Sequence, residues 1–249
     1  MAGDEARDHG KDPGTDAPED AHDPHSGAHE QDPLFDIPDH ARRPRARVII
    51  LTGPSGSGKS SLSTRTGMTS LSLDHFYRDD TDPDLPRLRD DLIDWDDPRS
   101  WHADDAFDAI VEICRTGEAD IPIYDIPTNR RTGTQPFSLD DEDAVFIAEG
   151  IFAAELVHRL EDEGLLADAI CIARRPARNW WFRLLRDMGE ARKPVPVLMW
   201  RGLKLAREEP EKVKLWITQG CRPVDSLDAA AAALEAVNHA EQLRRMSAL

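Results

Sequence analysis

Short runs of aliphatic and β-branched residues alternate along the chain with segments whose apolar residues recur at helical spacing. A short apolar run predicts a strand, and apolar residues three and four positions apart predict a helix with one buried face. Five strands are predicted, over residues 48–51, 68–73, 144–148, 169–173 and 213–218. Strands that alternate with helices are typical of an α/β domain built on a mainly parallel sheet, with helices on both faces.

Helices are predicted in the intervals between and after these strands. They cover residues 60–65, 101–115, 152–160, 176–188, 197–207 and 227–246, the last of them capped by Asp225 or Ser226. Residues 121–127 alternate and carry two prolines, which predicts an edge ribbon. Two other segments have neither periodicity: a long loop over residues 79–100 and a polar, basic loop over 128–135. A long loop inside a compact domain usually has a function.

The first predicted strand runs directly into a glycine-rich loop. Residues 53–60 read GPSGSGKS, which fits the pattern G-x-x-x-x-G-K-[ST] at every fixed position. Glycines let backbone N–H groups approach phosphate oxygens, and the helix that begins near Lys59 directs the positive end of its dipole at the same anion. Lys59 can reach the β- and γ-phosphates of a nucleotide, and the Ser60 hydroxyl can bind Mg²⁺. The residues assigned to ATP binding are Gly53, Pro54, Ser55, Gly56, Ser57, Gly58, Lys59, Ser60 and Ser61.

Two further strands end on a carboxylate. Asp74 follows the second strand, which we expect beside the strand of the phosphate loop, and Glu149 ends the third. Because the carboxyl ends of parallel strands converge on the ligand crevice, both side chains are expected near the γ-phosphate. One carboxylate could hold Mg²⁺, and the other could accept the proton of an attacking hydroxyl. The alternative interpretation is that both residues are structural: Asp74 would then cap the next turn, and Glu149 would be a solvated strand end.

The composition restricts the class of partner. The chain has 249 residues and a formal net charge of -17, so its surface repels nucleic acid and anionic membranes and favours a small-molecule substrate. No apolar run approaches the roughly 20 residues that span a bilayer, and the N-terminus has no apolar signal segment. Cys114, Cys171 and Cys221 follow no metal-binding spacing, so we expect them to pack in the core of a cytoplasmic protein.

The N-terminal segment differs from the rest of the chain. Residues 1–44 are dominated by Asp, Glu, His, Pro, Gly and Ala, with few large apolar residues. A segment that can bury so little apolar surface is expected to be disordered. Its histidines are irregularly spaced, which favours solvated sequence over a metal-binding tract. The folded domain is therefore predicted to span residues 45–249.

Six pieces of sequence make the chain resemble the uridine kinase family, in the phosphoribulokinase/uridine kinase group of P-loop kinases. They are GPSGSGKSS at 53–61, LSLDHFYRD at 71–79, DWDDPRSW at 94–101, PIYDIPTNRRT at 122–132, AEGIF at 148–152 and FRLLRD at 182–187. The resemblance implies a P-loop NTPase fold with a small lid. It also implies Mg²⁺-dependent phosphoryl transfer from ATP or GTP to a hydroxyl, with the 5′-hydroxyl of uridine or cytidine as the expected acceptor.

The resemblance further implies a role for each matched position. Asp74 would take the 5′-hydroxyl proton and lie near Mg²⁺, which Ser60 and Glu149 would help to hold. Lys59, Arg183 and Arg186 would join Asp74 in catalysis, the arginines reaching phosphates and ribose from one face of a lid helix. The nucleoside site would comprise Tyr77, Trp95, Asp96, Tyr124, Asn129 and Arg183. For the three aromatic residues of that set, ordinary packing explains the residue type nearly as well.

The chain departs from the family pattern around the acceptor and the lid. Asn129 stands where the family has a His that reads the pyrimidine edge. Ala173-Arg174-Arg175 stands where an Asp-x-Asp piece is common, and residues 189–196 differ from the usual lid sequence. Pantothenate or a sugar phosphate is therefore an alternative acceptor, although the acidic loop over residues 79–97 disfavours an anionic one. An alternative of another class is a non-catalytic nucleotide-binding switch whose tail recruits a partner.

The composition of the N-terminal segment leads to a first prediction. Deleting residues 1–40 is expected to leave both the melting temperature and any catalytic turnover unchanged, because a segment with so few apolar residues contributes little to a core. Thermal unfolding of the full-length and truncated proteins, together with a turnover assay, tests this. A large loss in either measurement would show that the segment packs on the folded domain.

Overall fold

A computed structural model describes residues 43–88, 91–174 and 209–247. Its strands are β1 (Arg47–Thr52), β2 (Ser70–Ser72), β3 (Glu118–Asp125), β4 (Arg130–Ser138), β5 (Val145–Glu149), β6 (Leu166–Ile172) and β7 (Arg222–Val224). Its helices are α1 (Lys59–Thr66), α2 (Ala103–Thr116), α3 (Val157–Asp162), α4 over residues 209–218, and α5 (Leu227–Met246). The helices predicted over 176–188 and 197–207 and the lid segment 189–196 lie outside the described residues, as do residues 1–42.

The central feature is a parallel sheet of five strands in the order β2-β5-β1-β6-β7. Its strand pairs are all parallel, which confirms the predicted α/β fold class. The expectation that β2 lies beside β1 is wrong, because β5 lies between them. The register nevertheless keeps the strand ends level, since Leu51 of β1 is opposite Glu149 of β5, and Glu149 is opposite Ser72 of β2.

Alternate residues of β1 face opposite layers of the domain. Val48 and Ile50 pack in one apolar cluster with residues of α2 and α3, whereas Ile49 and Leu51 pack in another with residues of α1 and α5. All four side chains are fully buried. A central parallel strand is covered on both faces, which is why β1 reads as a continuous apolar run rather than an alternating one. Helices therefore cover both faces of the sheet, as predicted.

The segment predicted as a polar, basic loop over residues 128–135 is mostly a strand. β4 pairs with β3 in an antiparallel, two-stranded sheet that includes the predicted edge ribbon. The prediction failed because every residue of β4 is exposed or half-buried, so the strand has no apolar face to give a periodic signal. Pro136 is tolerated in this hairpin because a proline removes a hydrogen-bond donor at little cost in an edge strand.

The strand predicted over residues 213–218 is also wrong, because this segment belongs to α4. The apolar residues at positions 213, 215 and 217 alternate as in a strand. In the structure, however, Trp216 is buried and Val213 packs against the same cluster, whereas Leu215 and Ile217 are exposed. Residues three positions apart share a helix face. The fifth strand of the sheet is instead β7, which pairs with β6.

A helix, a helix cap and the three buried cysteines agree with their predictions. The segment predicted as a helix over 152–160 begins as a 3₁₀ turn, Ala153–Leu156, and continues as α3. The Oγ atom of Ser226 accepts a hydrogen bond from the Ala229 N–H at 3.1 Å, so Ser226 is the cap of α5. Cys114, Cys171 and Cys221 are free and buried. Among the described helices, none combines the length and apolar character that crossing a membrane requires.

The short helix α1 depends on a single core side chain. Leu62 is its buried residue and packs in the cluster beneath the sheet, while the neighbouring positions are half-buried or exposed. We expect Leu62→Ala to lower the free energy of unfolding by about 2–5 kcal/mol, the usual cost of removing a buried leucine side chain. Chemical denaturation measures this. Leu215→Ala, at an exposed position of α4, is the control and should change the free energy of unfolding by less than about 0.5 kcal/mol. Equal effects of the two substitutions would contradict the role of Leu62 as the core residue of α1.

Candidate nucleotide and acceptor site

The glycine-rich loop connects the end of β1 to the start of α1. Gly58 has a left-handed backbone, with φ of 96°, and precedes the first helical residue. A Cβ atom at this position would lie 2.9 Å from Leu227 Cδ1, so both the backbone and the packing require glycine. The Lys59 ammonium group donates hydrogen bonds to the carbonyl oxygens of Gly53, at 2.8 Å, and Pro54, at 3.5 Å. The lysine therefore folds back along the loop that precedes it.

Ser60 and Glu149 meet at the edge of the sheet. The Ser60 Oγ donates a hydrogen bond to Glu149 Oε1 at 2.7 Å, and Glu149 is 8% exposed. Mg²⁺ takes oxygen ligands at about 2.0–2.1 Å in octahedral geometry, which places neighbouring ligands roughly 2.9 Å apart. The hydroxyl and carboxylate oxygens therefore fit two adjacent ligand positions. Within the described residues, no cluster of three or more acidic, His or Cys side chains could hold a metal.

Asp74 approaches the same place from β2. It lies in a 3₁₀ turn, Leu73–Phe76, that follows β2 directly, and its side chain is exposed. Gly150 allows this approach, because a Cβ atom there would lie 3.0 Å from Leu73 Cβ. Asp74 and Glu149 line a cleft of about 480 Å³ together with residues 55–61 of the loop, Ile151, Arg174 and Leu227. The structure thus brings both carboxylates and seven of the nine predicted phosphate-loop residues to one cavity; Gly53 and Pro54 do not line it.

An aromatic cluster lies directly after Asp74 in the chain. The Tyr77 ring centroid is 5.9 Å from that of Trp95, 5.8 Å from that of Tyr124 and 6.0 Å from that of Phe152. Phe152 also stacks on Trp101 at 5.7 Å. The three aromatic residues predicted from sequence therefore do meet. Phe152 was not predicted as a site residue, although its position three residues after Glu149 brings it to the same edge of the sheet.

Tyr77 lies near both Asp74, which lines the cleft, and Asp96, the predicted ribose ligand. Burial raises the pKa of its hydroxyl far above the usual range, and the negative charges of Asp74 and Asp96 raise it further. Tyr77 is therefore neutral and lies within electrostatic reach of both aspartates. Asp96 is exposed and forms an ion pair with Lys212 of α4 at 3.4 Å. The polar group predicted to bind ribose thus lies near the aromatic cluster.

The hairpin of β3 and β4 is attached to the segment that follows Asp74. The Tyr124 hydroxyl donates a hydrogen bond to the Arg78 carbonyl oxygen at 3.1 Å, and the Tyr124 N–H donates to His75 Nδ1 at 3.5 Å. Burial raises the Tyr124 pKa to about 12, helped by the charges of Asp79 and Asp80. Burial also lowers the pKa of His75, against the opposing effect of Asp74. Tyr124 therefore packs against Tyr77 as a neutral side chain.

Asn129 lies in the turn between β3 and β4. Its backbone is left-handed, with φ of 52°, and its carbonyl oxygen accepts a hydrogen bond from the Asp80 N–H at 2.9 Å. Asparagine tolerates this conformation better than most residues. The turn therefore gives a structural reason for asparagine at this position, in addition to the predicted contact with a base. Arg183 and Arg186, predicted from the lid helix, lie outside the described residues.

Sequence reasoning did not assign Arg174 to the site. It follows β6 by two residues, and β6 pairs with β1 on the side opposite β5. Its side chain is 8% exposed and lines the cleft. Like Asp74 and Glu149, Arg174 is a polar residue at the carboxyl end of a strand of the parallel sheet. The sequence carries this signal, because Arg174 directly follows the apolar run over residues 169–173.

The parallel sheet, the glycine-rich loop with Lys59 and Ser60, and the carboxylates at the sheet edge define a P-loop protein of the kinase class. A family model described as the phosphoribulokinase/uridine kinase family matches residues 48–191. The match spans more than half of the chain, so the chain belongs to this family. Its members are P-loop kinases that phosphorylate a hydroxyl group of a small molecule. None of the curated proteins compared with the chain matches it.

Several solved structures resemble the chain at low sequence identity. A protein of Silicibacter sp. TM1040 described as a candidate fructose transport system kinase is 17% identical, with a TM-score of 0.49, over 67% of this chain and 85% of its own. A possible uridine kinase of Bacillus stearothermophilus is 15% identical, with a TM-score of 0.43, over 73% and 89%. Phosphoribulokinase of Rhodobacter spheroides is 15% identical, with a TM-score of 0.40, over 68% and 67%. Likeness at this level does not bear on the substrate.

Proposed function

We propose that the protein transfers the γ-phosphoryl group of ATP, in a Mg²⁺-dependent reaction, to the 5′-hydroxyl of a pyrimidine ribonucleoside. The observation that carries this proposal is the position of Asp74. It lines the same cleft as Lys59, Ser60 and Glu149, and it immediately precedes the segment that contributes Tyr77 to the aromatic cluster. A nucleotide-binding switch without catalysis would need neither a base for an attacking hydroxyl nor an adjoining acceptor surface.

The loop and the sheet edge would bind the donor. Backbone N–H groups of residues 53–60 and the Lys59 ammonium group would bind the phosphates, and Ser60 and Glu149 would hold Mg²⁺. The metal, when bound, neutralises negative charge on the transferring phosphate. Phosphoryl transfer needs mainly positioning and charge neutralisation. Arg183 and Arg186 would add to that neutralisation, as the resemblance to the family implies.

The acceptor would lie against the aromatic cluster. Asp74 would accept the proton of the attacking hydroxyl while the hydroxyl oxygen bonds to the γ-phosphorus and the bond to the β-phosphate oxygen breaks, which releases ADP. Tyr77, Trp95 and Tyr124 would contact the base and ribose, and Asp96 would accept hydrogen bonds from the ribose hydroxyls. The neutral rings and the two carboxylates favour an uncharged acceptor over a sugar phosphate, whose charge Asp74 and Asp96 would repel.

The role of Asp74 leads to a direct test. Asp74→Asn keeps the size of the side chain and removes its ability to accept a proton. A positioned general base accelerates proton transfer by about 10²–10⁴-fold, so we expect kcat with saturating nucleoside to fall by that order while Mg·ATP affinity changes little. Steady-state ADP release and calorimetric ATP binding measure the two effects. Asp141→Asn, at a fully exposed position, is the control; near-normal turnover of the Asp74 variant on a nucleoside panel would refute the assignment.

The role of Asn129 requires a variant that preserves the turn. Asn129→Gly retains the left-handed backbone and removes the side chain with its amide group, whereas Asn129→Ala would also strain the turn. If the amide contacts the base, Asn129→Gly should change the ratio of kcat/KM between two nucleosides by about tenfold, the effect of losing one hydrogen bond. Competition assays over a nucleoside panel give this ratio. An unchanged ratio would limit Asn129 to its role in the turn.

A further inference from the structure

The residue that lines the cleft opposite the carboxylates is an arginine. Arg174 follows β6, and its guanidinium Nη1 donates a hydrogen bond to the Ser57 carbonyl oxygen at 3.2 Å. Ser57 is fully buried within the phosphate loop, and the Arg174 side chain is itself 8% exposed. A permanent positive charge is therefore held in the wall of the cleft, bound to the loop itself. Lys59 binds the carbonyl oxygens of the same loop from its other end.

The hydrogen bond from Arg174 to the Ser57 carbonyl oxygen affects the direction of the Gly58 N–H. The Ser57 carbonyl and the Gly58 N–H belong to one planar trans peptide, so they point in opposite directions. Holding the carbonyl therefore fixes the direction of the Gly58 N–H. Gly58 has no side chain of its own that restricts its backbone dihedral angles. Its φ of 96° lies in a region that glycine enters easily. A fixed peptide plane at this point reduces the reorganisation that phosphate binding requires.

Arg174 also changes the net charge of the residues that line the cleft. The described charged residues that line it are Lys59 and Arg174, which are positive, and Asp74 and Glu149, which are negative. Without Arg174, this described part of the lining would carry one net negative charge, in a chain whose total is already -17. A charge held away from solvent acts on its surroundings more strongly than an exposed one, because the local dielectric is lower. Arg174 thus opposes the repulsion that the carboxylates exert on an incoming polyphosphate.

We propose that Arg174 is a second phosphate-binding cation of this protein, which contacts the polyphosphate of the nucleotide while it holds the Ser57 carbonyl. A guanidinium has five N–H donors in one plane, so it can hold a loop carbonyl and a phosphate oxygen together. An ammonium group, as a point charge on a flexible stem, fits this double contact less well. The proposal rests on nucleotide binding by the loop, as in the proposed function, but not on the identity of the acceptor.

The test compares nucleotides that differ only in the number of phosphates. Calorimetry gives the affinities of Mg·ATP, ADP and AMP for the wild-type protein and for R174M, which keeps a long side chain and removes the charge. Losing a charge-assisted hydrogen bond weakens binding by about ten- to a hundredfold. We expect that loss for ATP and ADP and a much smaller one for AMP. The Michaelis constant of the acceptor should not change.

Two further variants control the comparison. R174K keeps the charge and should bind ATP with an affinity between those of R174M and the wild type. R115M removes an exposed arginine of α2 that pairs with Glu163 and does not line the cleft, and it should bind as the wild type does. If thermal unfolding shows that R174M is not folded, the test rests on R174K. Weaker binding of ATP and ADP by R174K, with unchanged binding of AMP, would support the proposal. Unchanged affinity for all three nucleotides would overturn it.

The remaining outcomes separate this proposal from the proposed function. Wild-type affinity of folded R174M for ATP would overturn the role of Arg174 alone. An equal loss for ATP, ADP and AMP would show that the side chain contacts neither the β- nor the γ-phosphate, and it would also overturn the proposal. A wild-type protein that binds Mg·ATP but transfers nothing to a nucleoside would refute the acceptor and leave Arg174 supported by the binding series. A wild-type protein that binds no nucleotide would refute both.

Discussion

The parallel pairing of β1 with β5 and β6 is the constraint on which the cleft depends. Leu51 lies opposite both Glu149 and Ile170, so the three strands end at nearly the same level. Parallel neighbours direct their carboxyl ends to one edge of a sheet, and residues just beyond those ends converge there. The phosphate loop, Glu149 and Arg174 occupy these three positions. A shift of register in one strand would move its polar residue out of reach of the other two.

Burial on both faces makes that register difficult to change. The side chains of β1 alternate between two apolar clusters, and both clusters are closed by helices. A slip by one residue would exchange the two sets of side chains, each of which fits a differently shaped layer. The helix α1, which carries Lys59 and Ser60, packs on one of these layers through Leu62. The core that defines the fold thus also holds the phosphate-binding residues in place.

The aromatic cluster beside the cleft, which we propose binds the acceptor, is held together in a different way. The segment after β2 and the first half of β3 bury side chains such as Phe76 and Ile121 in the core, and ring contacts and hydrogen bonds join the rest of this region. Tyr77 contacts Trp95 and Tyr124, and the Tyr124 hydroxyl and N–H bind the segment that carries Tyr77. Tyr124 thus joins the hairpin to the segment that follows Asp74.

The sequence by itself determined the α/β fold, the phosphate loop and the strand-end carboxylates, because each has a local signal that does not depend on distant residues. A buried parallel strand must be apolar, and a phosphate loop must carry glycine and lysine at fixed spacing. The same local reasoning placed a strand over residues 213–218, where alternating apolar residues belong to α4, and a loop where exposed β4 pairs with β3.

Tertiary structure decided the features that depend on partners distant in sequence. Only the strand order shows that β5 separates β2 from β1. Only the fold brings Phe152 to Tyr77, and only the pairing of β6 with β1 brings Arg174 to Ser57. The physical reason is that local periodicity reports which face of an element is buried, whereas the identity of the neighbour depends on how the elements pack together.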